Sequence, residues 1–143
     1  MPTIRAHAEG PATPERFVAV LTDFTEARLE RWPNLRGRFV LHELGDGWAD
    51  VTEGSTVLGR PVRERGRYTW EPGLVRFVIA ESDVRKPGSV WEYRVSPHGD
   101  GSHVDFALEH HPRGPRGWLL ALLLPVIGRR FFGKSIAGVL REL

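Results

Sequence analysis

Alternation of apolar and polar residues through the middle of the chain is the feature that most limits its fold. On one parity lie Val62, Glu64, Tyr68 and Trp70; Val75, Phe77 and Ile79; Trp91, Tyr93 and Val95; Val104, Phe106, Leu108 and His110. On the other lie Arg63, Arg65, Arg67 and Thr69; Arg76; Glu92 and Arg94; Asp105 and Glu109. Successive strand residues point to opposite faces, so one face of the sheet is apolar and aromatic and the other charged. That pattern belongs to an antiparallel sheet covered on one side only.

Turn residues set the strand limits. Gly45-Asp46-Gly47 joins strands predicted over Arg38–Leu44 and Trp48–Glu53, whose register the pattern leaves open. Glu71-Pro72-Gly73 joins Pro61–Trp70 to Leu74–Glu81. Lys86-Pro87-Gly88 opens a strand over Ser89–Ser96, and Gly99-Asp100-Gly101 leads into the last, His103–His111. A short first strand alternates over residues 3–9. Thr13-Pro14-Glu15 then starts a helix, with a capping hydroxyl, proline at the first helical position and an acid in the first turn. A second short helix is predicted from Thr25, through Leu29 and Trp32, to Pro33. From Pro115 to Glu142 the spacing of Phe132, Ile136, Val139 and Leu140 predicts one long helix. The expectation is an α+β single domain, 1–143. It has seven antiparallel strands, two short helices after the first strand and a long C-terminal helix.

Composition removes several function classes. The absence of cysteine excludes disulfides, thiolate zinc sites and a cysteine nucleophile. The N-terminus has no apolar leader, and the longest apolar run, Trp118–Gly128, falls short of the ~20 residues a spanning helix needs. A cytoplasmic location is expected. The net charge of +2 is too small to name nucleic acid as a partner. Arg63, Arg65, Arg67 and Arg76 share the outward face with Glu92, Asp105 and Glu109, which predicts cross-strand ion pairs rather than a nucleic-acid stripe. No metal site is expected, because His110 and His111 point to opposite faces of a strand. Residues 128–135 match the phosphate-binding pattern G-x-x-x-x-G-K-S, yet only eight residues follow Ser135, too few for the later strands that mechanism requires. They read as helix.

Three local sequences carry a resemblance to a known family: Pro14-Glu15-Arg16-Phe17-Val18 opening the first helix, Arg31-Trp32-Pro33 closing the second, and Gly99-Asp100-Gly101-Ser102 before the last strand. Together with the order of elements, they resemble the START-like (SRPBCC) superfamily, which includes polyketide cyclases/dehydrases and lipid carriers. The resemblance implies a helix-grip fold, with the sheet wrapped around the C-terminal helix and a cavity between them. It implies that Tyr68, Trp70, Phe77, Trp91, Tyr93, Phe106 and His110 line that cavity around a small hydrophobic ligand, with no cofactor.

Glu64, Tyr68, Tyr93 and His110 are polar groups on the apolar face, with His42 a fifth if its strand has matching register. A carboxyl isolated in an apolar cavity has a raised pKa, and a histidine there exchanges protons near neutrality. These groups are therefore the candidates for acid/base work in the enzymatic alternative, a cyclase or dehydratase acting on a polyketide-type substrate. The competing reading puts Glu64 and His110 at wetted strand ends. A third expectation concerns Trp118–Ile127, apolar all round although a helix on one sheet needs only one apolar stripe. The surplus suits a homodimer or a peripheral membrane contact, with Leu119, Leu122 or Leu123 partly exposed and Pro125 as a kink.

Overall fold

The computed structural model describes residues 3–25, 27–28, 39–57 and 60–143. The elements are β1 (Thr3–Gly10), α1 (Pro14–Leu21), β2 (Phe39–Gly45), β3 (Trp48–Val57), β4 (Arg60–Glu71), β5 (Leu74–Ser82), β6 (Val90–His98), β7 (Gly101–Glu109) and α2 (Gly114–Glu142). Of the second short helix predicted from Thr25 to Pro33, residues 27 and 28 are helical, with the Arg28 amide bonded to the Thr25 carbonyl at 3.0 Å, and residues 26 and 29–33 lie outside the described residues. The strands form one antiparallel sheet in the order β1-β7-β6-β5-β4-β3-β2.

Local chemistry explains the element ends. Thr13 caps α1 by accepting a hydrogen bond from the Arg16 amide at 3.3 Å, with proline in the first turn. The hairpins β2–β3 and β4–β5 turn on Gly47 and Gly73, both at φ 76°, a backbone state that costs glycine little. The parity read from sequence holds across β4 to β7, where the apolar set faces inward. It breaks at two bulges. One, between Arg65 and Gly66, carries Ala80 as an extra residue on β5 and turns Ser82 inward opposite Glu64. The other, between Leu41 and Glu43, leaves His42 on the outer surface, where its Nε2 lies 2.7 Å from Thr52 Oγ1. His42 is therefore no member of the inner polar set.

The outer face is partly paired as expected. Arg65 meets Asp50 at 3.2 Å and Arg76 meets Glu92 at 3.4 Å across strands. Asp105 and Glu109 depart from the expectation, each turning to a histidine, His103 and His111. Exposed pairs of this kind each contribute ~0–1 kcal/mol.

The long helix packs on β1. Its buried face runs through Gly117, Leu120, Leu124, Gly128, Phe132, Ile136, Val139 and Leu140. A Cβ on Gly128 would sit 3.1 Å from the Ile4 side chain, so this glycine lets helix and strand approach closely. The phosphate-loop match thus lies well inside α2, not in a loop leading from a strand into a helix N-terminus, and Gly128 serves packing. The helix continues through Pro125. No helix among the described residues is long and apolar enough to cross a membrane.

Candidate ligand-binding site

Strand register arranges the inner face in rows. Trp70, Val75, Tyr93 and Phe106 form one row across β4 to β7, and Tyr68, Phe77, Trp91 and Leu108 form the next. Tyr68 stacks on Phe77 with centroids 4.3 Å apart. Trp91 and Tyr93 contact Phe106 at 5.8 and 5.1 Å, and Phe132 of α2 closes on Phe106 at 4.6 Å. Phe24 joins Tyr68 to Trp70. All six aromatic residues proposed as cavity lining therefore lie in two neighbouring rows, and His110 follows Leu108 two positions further along the chain from β7.

Beyond these rows the inner face turns polar. Glu53 and Glu64 sit directly opposite each other on β3 and β4. Like charges so placed repel, and each carboxylate has its own arginine. Arg28, 3% exposed, donates from Nη2 and Nε to Glu53 at 2.8 and 3.0 Å, from Nη2 to the Tyr68 hydroxyl at 2.7 Å, and from Nη1 to the Leu21 carbonyl at 2.6 Å. Tyr68 in turn donates to Glu53 at 3.0 Å. Arg85 Nη1 donates to both oxygens of Glu64, at 2.7 and 2.6 Å, and the Ser82 hydroxyl adds a third bond at 2.8 Å.

This geometry corrects two readings made from sequence. Glu64 and His110 are 6% and 0% exposed, so neither sits at a wetted strand end. Nor is Glu64 the isolated carboxyl expected of an acid catalyst, since Arg85 supplies its counter-charge and Ser82 its hydrogen bond. The residues that sequence reasoning missed are Arg28, Glu53, Ser82 and Arg85. Glu64 itself was the signal for Arg85, because a carboxylate on an apolar row requires a buried cation.

The protonation states follow from burial. Desolvation, the largest influence, pushes the Tyr68 and Tyr93 phenols well above their ordinary value, so both remain O–H donors. The Tyr93 hydroxyl bonds to no described residue. For Arg28, desolvation opposes the charge, but Tyr68 and Glu53 outweigh it and hold the guanidinium above its usual range. Burial lowers the His110 pKa below 6.5, and nearby Arg85 lowers it further against the opposing hydrogen bond to Gly117. The neutral ring lies with Nε2 3.0 Å from the Gly117 carbonyl, which can only accept; the proton therefore sits on Nε2 and Nδ1 carries a lone pair. Three buried polar atoms have no partner among the described residues: His110 Nδ1, Trp91 Nε1 and Arg85 Nε. The Arg85 guanidinium lies 5.2 Å from the Trp91 ring centroid, and Arg85 is coupled electrostatically to His110. Arg85 thus neighbours the Trp91 ring, and its charge acts on His110, near this end of the aromatic rows.

The His110 shift has a consequence for stability. The unfolded chain takes up a proton near pH 6.5, whereas the folded chain resists it. Stability contributed by neutral His110 is thus complete above that pH and is lost as the pH falls below it. In thermal melts from about pH 7.5 to about pH 5, His110→Gln should show a shallower loss of melting temperature than wild type. Parallel curves would exclude the effect.

The family model described as polyketide cyclase / dehydrase and lipid transport matches residues 1–143. The chain belongs to that family. Solved structures similar to this cyclase/dehydrase and lipid-transport family member include the ZhuI aromatase/cyclase from Streptomyces sp. R1128, at TM-score 0.80 and 14% identity, covering 96% of this chain and 91% of that one. A START superfamily protein from Mycobacterium smegmatis matches at TM-score 0.75 and 13% identity, covering 96% of each chain. A protein from Thermus thermophilus matches at TM-score 0.71 and 21% identity, over 97% of this chain and 92% of that one. At these identities the likeness establishes the shared helix-grip fold. No curated protein matches the sequence.

Proposed function

We propose that the protein binds a small, largely apolar molecule with a hydroxylated end, held between the aromatic rows and the C-terminal helix. One observation carries this reading: three buried polar atoms, Trp91 Nε1 on the aromatic rows with Arg85 Nε and His110 Nδ1, have no partner among the described residues. Leaving a buried polar atom without a partner costs ~1–3 kcal/mol, so a ligand that satisfies the trio recovers part of that energy. The two donors suit an oxygen, and the acceptor suits its proton. A phenol, enol or alcohol supplies both on one atom. The aromatic rows and the Tyr93 hydroxyl favour an aromatic or polyketide-like body over a saturated acyl chain.

Native mass spectrometry of freshly purified protein tests the reading, followed by titration with a polyphenolic aromatic and with a saturated fatty acid of similar size. The phenol should bind more tightly. Trp91→Phe, which keeps an aromatic ring and deletes the N–H, should weaken it by ~2–10-fold, the range of a single hydrogen bond. Equal binding of both probes, or no loss in Trp91→Phe, would exclude this ligand class.

The catalytic alternative rests on the same histidine. A neutral imidazole with a free Nδ1 is a base placed to take a proton from an enolisable ligand. That reading requires turnover that disappears in His110→Gln by ~10²–10⁴-fold. A carrier would change affinity alone.

A further inference from the structure

The outward side of α2 remains apolar after the sheet has been covered. Trp118, Leu119, Leu122, Val126, Ile127 and Phe131 are exposed, Leu122 at 73% and Val126 at 79%. Helical geometry places Trp118, Leu119, Leu122 and Val126 within an arc of about 100°. The next turn along the same side is Arg129-Arg130. Between Gly114 and Arg141 the helix carries Arg116, Arg129, Arg130, Lys134 and Arg141 and no acidic residue. Arg5 of β1 joins Arg129 and Arg130 around an open groove of about 660 Å³, with Val126 on its wall.

Continuous apolar surface edged by cations of one sign is uncommon on a free monomer. The charge decides its occupant. A symmetric pair of chains crossing near Leu122 would bring the Arg129-Arg130 end of one helix to the Arg116 end of the other, with no carboxylate between Gly114 and Arg141 to neutralise them. An anionic bilayer complements both parts. Its phosphates meet the cations, and its acyl boundary receives the leucines. We infer that α2 docks the protein flat on an anionic membrane surface, with Leu119, Leu122 and Val126 inserted and Arg5, Arg129 and Arg130 at the phosphates.

Flotation of the full chain with two kinds of vesicle tests this: phosphatidylcholine alone, and phosphatidylcholine with about a third phosphatidylserine. At low salt the protein should float with the anionic vesicles only, and raised salt should release it. Each basic residue near such a surface is worth roughly five-fold in partitioning, so Arg129→Gln with Arg130→Gln should lower it by about 25-fold. Leu122→Glu with Val126→Glu should abolish it. Both pairs are exposed, so their melting temperatures should stay at the wild-type value, which separates lost docking from lost folding. Failure of the wild type to float with anionic vesicles would overturn the inference. A dimer in sedimentation velocity that dissociates in the Leu122→Glu, Val126→Glu variant, with vesicles ignored, would overturn it in favour of a second copy.

Discussion

Arg85→Met is expected to destabilise the protein by about 3–5 kcal/mol, because it strands the Glu64 carboxylate in the interior. The hydrophobic replacement keeps most of the side-chain volume, so the loss measures charge rather than a hole. For a domain of this size the change corresponds to a fall in melting temperature of roughly 6–20 °C. Glu64→Gln combined with Arg85→Met should recover much of it, since a neutral amide no longer needs a buried cation. Chemical denaturation of the two single variants and the double variant closes the cycle. Additive losses would mean that the two side chains are energetically independent, contrary to their 2.6–2.7 Å contacts.

Phe106→Ala should cost a similar amount for a different reason. Its ring is 1% exposed and touches Trp91, Tyr93 and Phe132, so truncation removes contacts on the sheet and on the helix together. Buried Phe→Ala changes cost ~3–5 kcal/mol. With a urea dependence of ~1–3 kcal/mol per molar, the unfolding midpoint should fall by about 2 M. A shift below about 0.5 M would mean that the neighbouring rings close the space, and that the aromatic rows are softer than their geometry implies.

The fold was readable because β4 to β7 alternate over most of their length, up to the Ala80 bulge near the end of β5, and glycine marks their turns. The inner residues Tyr68, Phe77, Trp91, Tyr93, Phe106 and His110 follow from parity alone. Parity fails wherever a bulge adds a residue. That is why His42 emerged on the outer face and why the inward turn of Ser82 was missed. The arginines were hidden for another reason. Arg28 reaches Tyr68 across forty positions of sequence, and Arg85 stands in the segment between β5 and β6 where no periodicity applies. Glu53 belongs to a strand whose register the pattern leaves open. A side chain that meets its partner through tertiary folding has no local signature beyond the charge it must answer.

The position of β1 ties the beginning of the chain to its end. Among the described residues its one partner strand is β7, with Thr3 opposite Glu109, and it also carries α2. During synthesis β1 emerges before the other strands, yet its partner follows roughly a hundred residues later, many seconds behind at ~5–20 residues per second. Until then its backbone donors and acceptors face solvent or a chaperone. The β2–β7 meander can form by successive local hairpins, whereas the β1 edge must close a long loop against entropy. A β2–β7 sheet formed before β1 docks would have six strands and an uncovered aromatic face. At that stage aggregation competes with docking of β1, and slowing the final closure should lower soluble yield even where the finished fold is equally stable.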